Sequence, residues 1–297
     1  MSAETVALRI QRSVNGRNWY KSIPFLTIHV LAFVGVIAGA PAKVWWLCFW
    51  LYWVRMFLVT GLLHRYFAHR SFHFHQKIKR AAEFAAAALA TLTVQKGPAW
   101  WASHHRNHHA NSDQPEDPHS VVQDGFWWAH VDWILSGIYD ETDWSRVPDF
   151  KKPEMVWINK YHHVLPAILG VIIFAWGGWR ALFIGYFFST VLLWHCTFFI
   201  NSLAHVKIPW WLGPFASWKS HRTDPNDSSQ NNFMLAIVTL GEGWHNPHHA
   251  EKHVTKQGDK WWMLDVTYYA LWLISLTGLI HGVSCHSARS RSKRLAA

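Results

Sequence analysis

The chain of 297 residues is short of two things. Cysteine is the first. Cys48, Cys196 and Cys285 lie far apart and form no CxxC pair, which argues against a disulfide scaffold and against a thiolate zinc site. Charge is the second. Asp, Glu, Lys and Arg make up only 15% of the chain against 51% apolar residues, which fits neither a disordered polymer nor an ordinary soluble domain. The opening segment MSAETVALRIQRSVNGRNWYK is too polar for a secretory signal peptide. There is no internal repeat and no recognisable nucleic-acid motif, so the net charge of +10 reads as attraction to an anionic membrane surface.

The missing charge is missing in blocks. Residues 22–42, 161–179 and 181–204 contain no Lys, Arg, Asp or Glu, and residues 44–63 contain only Arg55. Each block is near the roughly 20 residues that a membrane-spanning helix needs. They predict four transmembrane helices in two hairpins. A buried helical core is the competing reading. Against it stand the close pairing of the blocks and the tryptophans at their ends, Trp45, Trp46, Trp176, Trp179, Trp210 and Trp211. The short turns hold only Lys43 and Arg180. Other basic residues crowd the N-terminus (Arg9, Arg12, Arg17, Lys21), the middle (Lys77, Lys79, Arg80) and the tail (Arg289, Arg291, Lys293, Arg294). The positive-inside rule then places both termini and the long middle segment in the cytoplasm. Residues 84–95 and 266–280 are apolar but too short to span, and are assigned to interfacial helices. Residues 224–232 read as a loop, and about 287–297 as a basic tail.

What the chain has in abundance is histidine and tryptophan, 22 of each. Three histidine groups stand out: His64-Arg-Tyr-Phe-Ala-His69, His104-His105-Arg-Asn-His108-His109 and His245-Asn-Pro-His248-His249. All fall in segments placed on the cytoplasmic side. On a helix, positions i, i+3 and i+4 share a face, so His105, His108 and His109 point into one volume. His245, His248 and His249 repeat the spacing, although Pro247 suggests that their helix starts at Pro247 itself. His64 and His69 diverge by roughly 140° on an α-helix, which suits a site wide enough for two metal ions. Asn201 and His205, at i and i+4, sit where the fourth span emerges. With His104 set aside as non-ligating, nine histidines remain, too many for one metal. Imidazole suits Zn, Cu, Fe and Ni, and the count argues for a dinuclear centre.

Glu116…His119 and Glu242…His245 match the Glu-x-x-His spacing of soluble di-iron bundles. Pro118 interrupts the first pair and glycines 241 and 243 flank the second glutamate, so neither sits comfortably inside a helix. Asp113, Glu116, Asp117, Asp124 and Glu242 are instead candidates for carboxylates that hold the far nitrogens of metal-bound histidines.

The segments HRYFAHRSF, HRNHH followed by DPH, NSLAH and GEGWHNPHH resemble the membrane-bound fatty acid desaturases, in particular the acyl-CoA Δ9 branch. The resemblance covers about Gly61 to His249, with compatible spans on both sides, and carries four motifs in order. It implies one desaturase domain over 1–297, an all-α integral membrane fold of four transmembrane helices, and a cytosolic helical cap that holds a di-iron site. The implied iron ligands are His64, His69, His105, His108, His109, His205, His245, His248 and His249, with Asn201 acting through a bound water. No residue beyond the metal centre is implied as catalytic.

The implied reaction is O2-dependent desaturation of a saturated fatty acyl chain, given as acyl-CoA at the Δ9 position, to a cis monoene. Such a chain must be held dry and in register. Trp100, Trp101, Trp127, Trp128 and Trp244 flank the motifs and are candidates for the walls of its channel. No fused HPGG-type cytochrome b5 motif is found, so a separate electron donor of ferredoxin, rubredoxin or cytochrome b5 type is expected. An acyl-lipid desaturase or a fatty acyl or alkane hydroxylase on the same scaffold remains open. A non-enzymatic metal transporter is a more distant alternative, since its ligands belong within the spans, and only His29 and His195 lie well inside them.

Overall fold

The computed structural model describes residues 19–286. The basic tail at 287–297, together with Arg9, Arg12 and Arg17, lies outside the described residues. A stem of apolar helices carries a smaller helical cap. Helix α1 (Trp19–Ala38) closes at Gly39, whose left-handed backbone (φ 69°) lets its N–H return to the Gly35 carbonyl at 3.0 Å. Pro41 then precedes α2, which runs unbroken through Ala42–Ala68. It is α-helical to Phe57 and π-helical over Leu58–Ala68.

The apolar stretch Val164–Ser202 is 39 residues long. Straight, it would reach about 58 Å, roughly twice a bilayer's hydrocarbon core. It is not straight. Gly177 and Gly178 leave helical geometry, Gly178 at φ 64°, ψ −158°. The chain folds back there, because the Tyr186 hydroxyl donates to the Pro166 carbonyl at 2.9 Å. Its first arm is α6 (Val164–Arg180); the second, α7 (Ser189–Ser202), continues the π-helical turns Ala181–Phe188. Glycine sets the spacing of this stem. A Cβ added at Gly35 would fall 2.7 Å from Phe183 Cβ, and one at Gly185 would fall 2.7 Å from Leu47 Cδ2. Outward-facing side chains are apolar: Phe33, Ile37, Trp50, Val171 and Ile172 are all exposed. Among the described residues, Ala42–Ala68 and Val164–Ser202 are the two stretches long and apolar enough to cross a membrane; Ser22–Ala38 and Val266–Ser275 are shorter apolar helices.

The expected second span stops at residue 63, but α2 continues to Ala68. Arg65 is 2% exposed and fully engaged by acidic partners described below, so the helix carries it inside the protein.

The cap comprises α3 (Lys79–Thr91), α4 (Pro98–Ala110), α5 (Pro153–Lys160), α8 (Phe233–Val238), α9 (His245–Ala250) and α10 (Val266–Ser275). Its core joins Leu63, Phe67 and Phe72 to alanines 87, 90, 99 and 102 and to Phe150 and Ile158. Helix α4 begins without a side-chain cap of its own. Asn159 of α5 supplies one, its Oδ1 accepting the N–H groups of Ala99 and Trp100, each at 3.0 Å. Gly97 makes this approach possible, since a Cβ there would lie 2.2 Å from Asn159 Oδ1 and 2.8 Å from its Cα. Gly97→Ala is therefore expected to destabilise the protein by about 1–3 kcal/mol through overpacking and a lost cap. The detergent-solubilised protein should show the drop as a lower unfolding temperature. An unchanged midpoint would mean that α5 does not hold α4.

Candidate metal centre

The structure gathers the nine motif histidines into two adjacent groups. His64, His69, His105, His109 and His248 form one, and His108, His205, His245 and His249 the other. In the first, the Nε2 atoms form a closed ring: His64–His69 3.1 Å, His69–His105 2.9 Å, His105–His109 3.1 Å, His109–His248 3.0 Å and His248–His64 3.1 Å. In the second, the Nε2 separations are 3.2 Å for His205–His245, 3.0 Å for His245–His249 and 3.4 Å for His249–His108.

Local geometry explains the sorting. On α4, His105 and His109 are one turn apart and serve the first group, while His108 turns to the second. Helix α9 mirrors this, with His248 in the first group and His245 and His249 in the second. The third-motif helix begins at His245, not at Pro247. Proline is compatible with a first helical turn, where its missing N–H would have no i−4 partner. His64 and His69 do not diverge as an α-helix predicts. Their segment is π-helical, and the His69 N–H reaches the His64 carbonyl at 3.1 Å, an i→i+5 bond. That bond stacks residue 69 almost above residue 64, so both rings serve the same group.

Carboxylates fix the ring orientation. Nδ1 of His108 donates to Asp117 at 2.9 Å, that of His205 to Asp113 at 2.9 Å, and those of His249 and His64 meet Asp227 at 3.1 Å and Glu242 at 2.5 Å. With the proton on Nδ1, each Nε2 presents a bare lone pair inward. The facing Nε2 atoms of His108 and His249 then have no proton to share, and a cation between them satisfies both. Metal–nitrogen bonds of 2.0–2.1 Å would set neighbouring ligands about 3.0 Å apart in an octahedral site and about 3.4 Å apart in a tetrahedral one. The observed separations fall in that range, so the residues fit a pair of imidazole-held metal ions.

Burial drives the pKa values of His69, His105, His109, His245 and His248 well below 6.5, and repulsion from neighbouring rings adds to it. Burial takes His249 down to about 4 against the opposing pull of Asp227. Burial also opposes ionisation of Asp117, but His108 overcomes it and holds that acid at about 2.

Two arginines inside the motifs lock them together. Arg65 reaches Glu242 at 2.9 Å and grips both oxygens of Asp265 at 2.9 Å, tying the first motif to the third. Arg106 donates to the carbonyls of Ala68 (2.9 Å) and Phe67 (2.8 Å) and to Asp149 (2.7 Å), tying the second motif to the first.

A cavity of about 310 Å³ lies against the first group, with His105 in its wall beside Trp100, Trp101, Trp133, Trp194 and Phe198. Asn201 also lines this cavity and is not among the clustered nitrogens. Of the five tryptophans expected in a channel, Trp100 and Trp101 face this cavity. Trp127 is exposed, Trp128 donates to the Pro118 carbonyl, and Trp244 packs with Ala236 and Met263. His104 faces the cavity and meets the Glu141 carbonyl at 3.2 Å. Glu116 accepts from Asn107 through its backbone carbonyl, and Asp124 sits in the short helix Val121–Asp124. Sequence reasoning missed Asp227, which lies in the stretch taken as a plain loop. It also missed Trp133, Trp194 and the Arg65–Asp265 pair. An aspartate buried in an otherwise polar loop carries no spacing signal.

Two predictions follow from the ring orientation. Histidines with depressed pKa values remain neutral as pH falls through 6.5, so protons compete for them only at lower pH. Bound metal, measured by elemental analysis after dialysis, is expected to leave in part near pH 6.5, where His108 protonates because Asp117 outweighs burial and raises its pKa, and in full only at lower pH. Complete loss by pH 6.5 would contradict the burial argument. Asp227→Asn should weaken metal retention about 10–100-fold in competition with a chelator, because His249 loses the partner that orients it. Parental retention would remove Asp227 from the site.

With this geometry in place, comparison with known proteins is direct. The fatty acid desaturase family model matches residues 40–272. The chain is 33% identical over 270 residues to an sn-2 palmitoyl-lipid 9-desaturase of Nostoc sp. (strain 36), covering 88% of each chain. It is 33% identical over 277 residues to an sn-1 stearoyl-lipid 9-desaturase of Anabaena variabilis, covering 90% of this chain and 93% of that one. An icosanoyl-CoA 5-desaturase of Limnanthes douglasii is 30% identical over 294 residues, covering 95% of this chain and 77% of that one. The chain belongs to the fatty acid desaturase family, as an oxidoreductase that desaturates fatty acyl chains.

Proposed function

We propose that this protein carries out O2-dependent Δ9 desaturation of a saturated acyl chain, giving a cis monoene, at two iron ions held by the nine histidines. The observation that carries the reading is the apolar cavity with His105 in its wall: an acyl chain lying there runs past the metal-binding nitrogens. The iron pair, when bound, supplies the activation of O2. The protein's own residues do the rest. Trp100, Trp101, Trp133 and Trp194 exclude water and fix the chain, so that one pair of methylenes lies in reach. Asp113, Asp117, Asp227 and Glu242 keep the imidazole protons on Nδ1 and the lone pairs turned inward. Asn201, on the cavity wall, reaches the metal through water.

The stem fits four membrane passes: α1, α2 and the two arms of Val164–Ser202, with the cap and both termini in the cytoplasm. Its support is the fold-back at Gly177–Gly178 and the basic residues outside the hairpin turns. Electrons come from a separate carrier protein of ferredoxin, rubredoxin or cytochrome b5 type. For the acyl donor two readings stand. The motifs resemble those of the acyl-CoA branch, whereas the Nostoc and Anabaena relatives are named for lipid-bound chains.

Fatty acid profiling of a host with and without the gene tests the reading. A new cis monoene is expected, and His105→Ala should abolish it. An added oxygen with no double bond would replace desaturation by hydroxylation. Purified protein given stearoyl-CoA or stearoyl-phospholipid vesicles, with electrons and O2, identifies the donor by which one yields the monoene.

A further inference from the structure

Two further cavities among the described residues reach the motif histidines, and their charges are opposite. One, of about 780 Å³, touches His69 and His109 and is lined by five Lys and Arg side chains, Lys79 among them, against the carboxylates of Glu83 and Asp149. The other, of about 420 Å³, touches His109 and His249 and is lined by three carboxylates, Asp224, Asp227 and Glu251, against the single ammonium of Lys252. Asp224, Ala250 and His253 in its lining are exposed, so it opens to water.

The acidic cavity meets both histidine groups at once. Six of the nine motif histidines are buried, and the three that keep accessible surface are His105, His109 and His249. His105 faces the acyl cavity, and the other two face this one. His109 belongs to the first group and His249 to the second, and their ring centres are 4.4 Å apart. Buried Asp227 meets His249 Nδ1 at 3.1 Å and accepts from Ser112 Oγ at 3.0 Å. Glu251 is half-buried and Asp224 exposed. Negative charge therefore extends from the solvent down to a residue that orients a ligand.

A divalent cation needs such a route. Through the acyl cavity it would shed its hydration water against the rings of Trp100, Trp101 and Trp194. Through the larger cavity it would pass among like charges. A cleft lined by negative charge instead concentrates cations and raises their on-rate by about 10- to 1,000-fold.

We propose that the cavity lined by Asp224, Asp227 and Glu251 is the port through which metal ions enter and leave the nine-histidine centre. Its carboxylates, with the hydroxyls of Ser112 and Thr223, accept hydrogen bonds from the ion's hydration water until His109 and His249 take hold, one from each group. The inference rests on the metal-centre reading, and the test separates the two.

The probe is ferrous ion. Detergent-solubilised protein, stripped of metal by dialysis against a chelator, is loaded anaerobically, and release from the loaded protein into excess colour-forming chelator is timed. The double variant Asp224→Asn/Glu251→Gln keeps acceptors for the Asn226 N–H and for His286 but removes two charges. Loading and release should both slow by about tenfold. Equilibrium retention should stay parental, because a change confined to the path raises the barrier equally in both directions. Lys79→Gln, in the basic cavity, should leave both rates parental. Parental rates in the acid variant would overturn the port, as would faster loading in Lys79→Gln or weakened retention with parental loading. If the double variant does not fold, the parent alone decides. Between about 0.1 and 0.5 M salt, where screening acts over about 10 Å or less, salt should slow its loading. Acceleration by salt, or no change, would overturn the proposal. A parent that takes up no iron would refute the metal centre and the port together. One that loads as described but makes no monoene would refute the desaturase reading and leave the port standing.

Discussion

The architecture depends on one electrostatic requirement: nine imidazole lone pairs must face one another inside a dry protein. Left to themselves such atoms repel, and burial penalises the protonation that would relieve them. Four carboxylates resolve the conflict from outside. Asp113, Asp117, Asp227 and Glu242 each accept a hydrogen bond from an Nδ1–H, fix a tautomer and turn a lone pair toward the centre. The acids would compensate the positive charge of any metal held there. Apolar packing then has a definite task, which is to keep these rings from relaxing away from positions they would not choose alone.

The motifs are not three independent ligand cassettes. Helices α4 and α9 each split their histidines between both groups, so neither group forms from one motif. The arginines within the motifs enforce the same interdependence. Arg65 joins the first motif to Glu242 and Asp265, and Arg106 joins the second to the backbone just before His69. Both guanidiniums are planar, multi-donor groups serving partners in fixed directions, a task that a lysine's single ammonium cannot perform. The buried Arg65 pairs carry a desolvation cost, and here the return is registration of the site.

The periodic parts of this organisation were legible in the sequence. The apolar blocks mark the helices of the stem, because lack of charge over 20 residues has few other causes. The i, i+3, i+4 spacing of His105, His108 and His109 places them on one helix, and Asp113, Asp117 and Glu242, all near the motifs, meet histidine rings. What was not legible depends on contacts between distant segments. The continuation of α2 past the uncharged block was not visible because the partners that let Arg65 be buried lie 177 and 200 residues later. Asp227 gave no pattern. The walls of the cavity were half missed because Trp133 and Trp194 are ordinary tryptophans in one dimension and become neighbours only when α7 meets the cap.

The π-helical end of α2 has a different kind of implication. A run of i→i+5 bonds accommodates more residues per turn than an α-helix, so His64 and His69 align through the number of residues between them as much as through what those residues are. The first motif is in this respect a count. Substitutions among the intervening side chains preserve the count. Loss or gain of a single residue between His64 and His69 would swing one histidine around the axis away from the other. Variation by exchange is therefore open to this segment, and variation by insertion or deletion is closed to it.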